Sequence, residues 1–299
     1  MSEFLQQWIN GLSLGSIYAL IALGYTMVYG VLRFINFAHG DIFMLGAYSG
    51  YFLAQHFSSG SIGSAILILV ISMAICAAIG ILIERLAYRP LRSRPRLAVL
   101  ITAIGVSLFI EYTCQHERVF KATPRTFPNL VPDFSLTVPG GGIMNSDQLI
   151  VLGVTALLLA GLQLVVFRTK IGTAMRALAF NTEAASLMGI NIDFVISFTF
   201  GLGSALAAAG GILYAMNYSS IDPLMGIMPG LKAFVAAVFG GIGNIYGAAL
   251  GGLLIGVIET FTAGYISSTY RDAIAFAILI LILMFKPSGL LGKATIEKV

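Results

Sequence analysis

Apolar residues fall in continuous runs at about 5–31, 42–54, 62–83, 97–110, 149–167, 194–216, 229–258 and 273–285, separated by short polar intervals. Several approach the ~20 residues a helix needs to cross a hydrocarbon core of ~30 Å. The ten-residue alternation of an outer-membrane barrel is absent, so the pattern predicts helices, the other structure that satisfies its backbone in lipid. Two runs are too short to span: at ~1.5 Å per residue, 42–54 and 273–285 each reach only ~20 Å. Flanking residues must extend them, or they begin part-way through the membrane. The run 229–258 is overlong and is interrupted by Gly240, Gly241 and Gly243, which predicts two segments. The expected fold is an all-α polytopic membrane helix bundle of about eight apolar segments, some discontinuous or re-entrant, with 1–299 forming one membrane domain.

Composition removes the alternatives. Of 299 residues, 58% are hydrophobic and 10% are Asp, Glu, Lys or Arg, less than half the ~25% of an average soluble domain. Glu3 with no basic residue before a long apolar run argues against a cleaved signal peptide, so the first helix is expected to be retained. The two cysteines, Cys76 and Cys114, and three scattered histidines form neither a disulfide framework nor a metal spacing.

The net charge of +4 matters less than where the cations sit. They cluster at Arg85, Arg89, Arg92, Arg94 and Arg96, at Arg168, Lys170 and Arg176, and at Lys286, Lys293 and Lys298. The positive-inside rule makes these three regions cytoplasmic. Two helices separate the first two clusters, which puts the Pro- and Gly-rich stretch 115–147 outside as an extracytoplasmic cap. The same counting puts the N-terminus outside, and reaches the third cluster only if 229–258 passes as two pieces.

Three segments carry candidate chemistry. The first, Asn36-Phe37-Ala38-His39-Gly40-Asp41, lies between a full-length apolar run and one too short to span. It is expected to be the gap of a discontinuous helix, with Asp41 capping the helix that follows and the gap facing a cavity; the alternative is an ordinary cytoplasmic turn. The second, Phe239-Gly240-Gly241-Ile242-Gly243-Asn244, is followed by two small-xxx-small spacings, Gly247 with Gly251 and Gly252 with Gly256. Its glycines serve either a helix break beside a transport path or packing alone. Glu259, the one acid of the helix beyond, is either functional or simply exposed near the helix end.

The third is Asn181-Thr182-Glu183-Ala184-Ala185-Ser186-Leu187-Met188-Gly189, inside the basic loop at about 168–192. Thr182 is placed to cap a two-turn helix, Glu183 suits its positive first turn and Gly189 its end. The small and apolar Ala184, Ala185, Leu187 and Met188 fit insertion into a partner's groove better than exposure to water. No phosphate-binding loop exists: Gly289-Leu290-Leu291-Gly292-Lys293-Ala294 has the wrong glycine spacing and no hydroxyl after the lysine. No nucleophile or third orienting group stands with Asp41 and His39, so no catalytic site is expected.

Glu183-Ala184-Ala185 followed by Gly189 resembles the EAA loop of ABC importer permeases. The rest is similar to the branched-chain amino acid permease family, of the LivH type. The strings that carry the likeness are Asn10-Gly11-Leu12-Ser13-Leu14-Gly15-Ser16 with Tyr18-Ala19-Leu20, Ile35-Asn36-Phe37-Ala38-His39-Gly40, Glu84-Arg85-Leu86-Ala87-Tyr88-Arg89-Pro90-Leu91-Arg92, Thr102-Ala103-Ile104-Gly105, Lys232-Ala233-Phe234 through Gly243, and Lys286-Pro287-Ser288-Gly289-Leu290-Leu291-Gly292. They tile nearly the whole chain except 115–147.

The resemblance implies a multi-pass permease of the bacterial inner membrane that is not itself an enzyme. It implies a second homologous permease subunit, two cytoplasmic ABC ATPases that hold ATP and Mg, and a periplasmic or lipid-tethered protein delivering a branched-chain or other neutral amino acid. This chain would bind no cofactor and no metal, and would contact lipid but no nucleic acid. The loop of Thr182, Glu183, Ala184, Ala185, Leu187, Met188 and Gly189 would couple to an ATPase, and Asn36, His39, Gly40, Asp41, Gly240, Gly241, Gly243 and Asn244 would border the translocation pathway. Related permeases handle urea or short amides. An ion-coupled secondary transporter would need more buried ionisable residues than Asp41 and Glu259, and a passive channel would need no docking helix.

Overall fold

The computed structural model describes residues 2–57, 60–92 and 94–292; Lys293 and Lys298 of the third basic cluster lie outside the described residues. The long first helix, α1 (Ser2–Leu32), is apolar on every side, and residues 13–28 are all buried, as expected of a helix with no polar face. Around it pack α8 (Ile192–Tyr218), α9 (Ile227–Gly240) and α10 (Ile245–Tyr265), while α2 (His39–Ala54) and α3 (Ile62–Ile83) pack on α8. The periphery holds α4 (Arg96–Gln115), α5 (Ser146–Arg168) and α11 (Arg271–Phe285), which expose large apolar side chains such as Phe109, Leu157 and Met284. Such a surface suits lipid and not water.

Among the described residues, seven helical segments are long and apolar enough to cross a membrane. The run ending at Phe285 reaches 18 residues because a 3₁₀ turn, Ser268–Tyr270, leads into α11. The run 42–54 grows only to the 16 residues of α2, and α9 has 14. The basic region after α3 is not a loop at its start: the helix continues through a π turn, Glu84–Tyr88, and a 3₁₀ turn, Arg89–Leu91.

Small residues let the central helices approach. α10 runs antiparallel to α1, and a Cβ on Gly15 would stand 2.7 Å from the Leu253 backbone. The two small-xxx-small spacings serve different neighbours: Gly252 and Gly256 face Ala19 and Gly15 of α1, whereas Gly247 and Gly251 face Gly240 and Ala236 of α9.

The two ends of the bundle differ as the charge pattern predicts. At one end lies 115–147, which contains β1 (Arg125–Thr126) and an antiparallel hairpin of β2 (Ser135–Val138) and β3 (Gly142–Asn145), strands that the sequence did not reveal. β1 pairs with β4 (Ser220–Ile221), and Ile143 N donates to Gln6 Oε1 at 2.8 Å, so the N-terminus shares this end. The basic clusters gather at the other end. Here α6 (Lys170–Phe180) receives a hydrogen bond from Arg33 at the carbonyl of Ala179, and residues 286–292 fold under α9 with Leu290 N donating to Phe239 O.

Candidate functional site

Past Leu32 the chain is irregular through residues 33–38, with Arg33 in the left-handed region at φ 55°. It does not leave the bundle. The His39 ring lies 4.6 Å from the Tyr25 ring and against Gly24, eight residues before the end of α1 and so ~12 Å deeper. Asn36, His39 and Asp41 are 5%, 1% and 3% exposed. Tyr88 donates its hydroxyl to Asn36 Oδ1 at 2.6 Å.

Two expectations need correction here. The gap ends at Ala38, because His39, Gly40 and Asp41 already form the first turn of α2. Asp41 does not cap that helix: the cap position is Ala38, which makes no side-chain cap bond, and Asp41 instead accepts a 2.5 Å hydrogen bond from Ser107 Oγ of α4. As the third helical residue it points sideways to its neighbour and not back along the axis.

The partner of this turn was not foreseen. α9 begins at Ile227, also without a side-chain cap, and Gly226 and Gly230 meet Gly40 so closely that a Cβ on Gly40 would stand 2.7 Å from the Gly226 carbonyl. Two helix starts therefore face each other inside the bundle, around a cavity of about 170 Å³ bordered by Tyr25, Gly40, Asp41, Ser107, Glu111 and Gly226. The signal available was Gly226 with Pro229-Gly230. Glu111, an acid within α4, lay one residue beyond the apolar run 97–110 and was missed.

The glycine break is elsewhere. Gly241 and Gly243 have φ of 109° and 90°, conformations that end α9 and turn the chain into α10. Asn244 caps α10, accepting from Tyr246 N and Gly247 N, and donates to Leu291 O at 2.8 Å. Gly243 lies near Gly30, six residues or ~9 Å along α1 from the level of His39. Gly240, Gly241, Gly243 and Asn244 thus sit at the basic end, and the fold does not bring them to the cavity of Gly40 and Asp41.

At that same end α7 (Thr182–Leu187) stands out from the bundle. Asn181, not Thr182, is its cap: the extended backbone of Asn181 lets its Oδ1 accept from Ala184 N at 3.0 Å, while Thr182 turns its hydroxyl back to Leu178 O. Gly189, at φ 79°, ends the helix and donates to Ser186 O. Leu187 and Met188 are 88% and 83% exposed, with Glu183 and Ala184 also outward. Ala185 is buried against its own chain and is not part of the outward face. Behind the turn opens a cavity of about 770 Å³ bordered by Leu32, Phe34, Tyr88, Arg92, Asn181 and Glu183. Tyr88 borders it while holding Asn36, so this vestibule reaches the gap after α1.

Two ionic clusters brace the bundle. Glu84, fully buried, accepts from Ser197 Oγ at 2.6 Å and pairs with Arg92, which also reaches Asp193 at 2.7 Å; Arg89 pairs with Asp193 too. This ties the end of α3 to the start of α8. Glu259 is not exposed: Lys232 of α9 lies 2.8 Å from it and 2.6 Å from Asp272, and Arg271 also pairs with Glu259. Lys232 sits inside an apolar helix, and its partners lie 27 and 40 positions on, a separation that no local pattern encodes.

A family model for the permease component of branched-chain amino acid transport systems matches residues 7–283. The chain is 43% identical to the high-affinity branched-chain amino acid transport system permease protein BraD of Pseudomonas aeruginosa, over 99% of this chain and 98% of the relative. It is 42% identical to the corresponding LivH of Escherichia coli K12, with the same coverage of 99% and 98%. The inner membrane ABC transporter permease protein YjfF of Escherichia coli K12 is 27% identical, over 91% of this chain and 80% of that protein.

Proposed function

Because this chain belongs to the branched-chain amino acid transport system permease family, we propose that it is one translocation subunit of an ATP-driven importer of branched-chain or other neutral amino acids in a bacterial inner membrane. It works beside a second homologous permease. Two cytoplasmic ATPases hold ATP and Mg, and a periplasmic or lipid-tethered binding protein delivers the substrate. The observation that carries this reading is the near-full-length identity to BraD and LivH.

The geometry supports a division of labour within the chain. The basic end is cytoplasmic, and α7, with Leu187 and Met188 outward, docks into an ATPase. Nucleotide-driven approach of the ATPases tilts the permease halves, so that the vestibule behind α7 and the gap at Asn36 open alternately with the opposite side. His39, Gly40 and Asp41 border the path within the membrane, and Gly240, Gly241, Gly243 and Asn244 form its cytoplasmic rim. Away from the acids at the α2 turn, backbone groups, small residues and apolar walls line the path and hold substrate weakly, which release requires.

The test is reconstitution of the complex in proteoliposomes with measurement of ATP-dependent leucine uptake and ATP hydrolysis. Wild type imports leucine only with ATP and the binding protein. Gly189→Trp, which forces a bulky side chain into a left-handed backbone, abolishes uptake while hydrolysis continues. Uptake at the wild-type rate by a correctly assembled Gly189→Trp complex contradicts the coupling role.

A further inference from the structure

The cavity at the starts of α2 and α9 combines features that none of its neighbours shares. Asp41 is 3% exposed and borders it. Its Oδ2 takes the Ser107 hydroxyl at 2.5 Å, and Glu111 Oε1 lies 3.5 Å from the same hydroxyl. One hydroxyl has one proton, so it serves one carboxylate at a time. Among the described residues no lysine or arginine pairs with Asp41 or Glu111. The other acids buried inside the bundle are different: Glu84 and Glu259 each have cationic partners within the chain. A buried ionised acid without a cation is costly, so such a group holds a proton or takes a cation from outside.

Beside the acids, with Asp41 itself in the first turn of α2, are two helix starts without side-chain caps, at Gly40 and at Gly226. His39 N and Ile227 N donate to Asn36 O and Leu224 O, and Pro229 has no N–H, which leaves the N–H groups of Gly40 and Met228 with the aligned dipoles to favour a negative group. The remaining walls are apolar, among them Ile104, Leu108 and Leu231. A volume of about 170 Å³ is that of one small molecule and too little for a peptide, and the apolar walls suit an aliphatic side chain better than the hydroxyls of a sugar.

We propose that this cavity is the chain's own contact site for a zwitterionic aliphatic amino acid, holding the ammonium with Asp41 and Glu111, the carboxylate with the starts of α2 and α9, and the side chain against α4 and α9. The site rests on the transport function proposed above and adds that this subunit, besides the binding protein, reads both charges of the substrate. Ser107 is a positioning residue that holds the two carboxylates together. Entry requires the substrate's cation to replace what the isolated chain lacks, so neither a carboxylic acid nor an amine alone suffices.

The experiment uses the complete complex in nanodiscs and the diazirine analogue of leucine as a photoprobe, with labelled peptides identified by mass spectrometry. Wild type labels peptides of α4 and α9 that border the cavity. Excess leucine suppresses this labelling, whereas 4-methylpentanoate, which lacks the ammonium, and 3-methylbutylamine, which lacks the carboxylate, compete at least tenfold less well. Glu111→Gln and Asp41→Asn each reduce the labelling at least tenfold, and Asp41→Glu restores part of it. Labelling confined to other helices, labelling unchanged in both Glu111→Gln and Asp41→Asn, or equal competition by 4-methylpentanoate overturns the proposal. Wild-type complex that imports no leucine with ATP defeats the transport function instead, a separate measurement with a separate result.

Discussion

The turn into α2 and the turn at α7 are both short, both follow a helix closely, and invert the usual burial in opposite directions. At the first, the polar Asn36, His39 and Asp41 are hidden within an apolar bundle; at the second, the apolar Leu187 and Met188 stand in the open at the charged end. A hidden polar group must find a partner or water, and an exposed apolar one at the aqueous end gains by being covered. The first inversion is resolved partly inside the chain, by Tyr88 and Ser107, and partly by a cavity. The second has no covering partner among the described residues. The difference supports the proposal that the α2 turn belongs to the path of a small solute and the α7 turn to the docking of a second protein.

The comparison is sharpened most by a buried polar group that has nothing to do with either turn. Lys232 pairs with Glu259 and Asp272 inside the bundle. Lys232→Met leaves Glu259 with Arg271 alone in a buried setting, and losing one member of a buried ionic cluster costs about 3–5 kcal/mol. The expected result is a thermal midpoint roughly 10 °C lower for the purified protein. An unchanged midpoint would mean that buried charge in this bundle is already served by water, and that the α2 turn is not exceptional.

A smaller effect is expected at α7. Leu187→Asp changes a side chain that touches little of its own chain, so the midpoint of the isolated permease stays where it was. Its binding to the ATPase weakens by about 2 kcal/mol, roughly 30-fold, the worth of one buried leucine. Titration of detergent-solubilised permease with the ATPase measures this. A loss of stability in the isolated chain would show that Leu187 packs internally, and the contrast between the turns would fail.

What was legible in the sequence follows the range of the interactions involved. Helices, the split at Gly240 to Gly243 and the end of α7 at Gly189 are set by apolar run length and local backbone freedom, which adjacent residues encode. The choice between Asn181 and Thr182 as cap was not, because both have capping side chains and only the backbone at Asn181 decides it. Asp41 was misassigned for a related reason: its bond is to Ser107, 66 positions away. The meeting of Gly40 with Gly226 and the hiding of Lys232 are tertiary facts. A glycine that permits contact reads the same as one that permits a turn, and a lysine in an apolar run does not tell which distant acids hold it.

The smallest expected effect concerns whether the gap after α1 is wet. Tyr88 and Asn36 are joined by one 2.6 Å hydrogen bond between residues 52 positions apart, and Tyr88 also borders the vestibule behind α7. Tyr88→Phe removes the donor and Asn36→Ala removes the acceptor. In a dry interior each single change strands the other group at about 1–3 kcal/mol, and the double change recovers much of that loss. In a gap reached by vestibule water the stranded group is rehydrated, so each change costs about 1 kcal/mol or less and the two nearly add. The wet outcome is expected, since Asn36 stands between the vestibule and a turn that the chain itself only partly satisfies. Thermal midpoints of the two single variants and the double variant decide it. A strong coupling between them would make the Asn36 contact as structural as that of Lys232, and the α2 turn would then be packing and not a path.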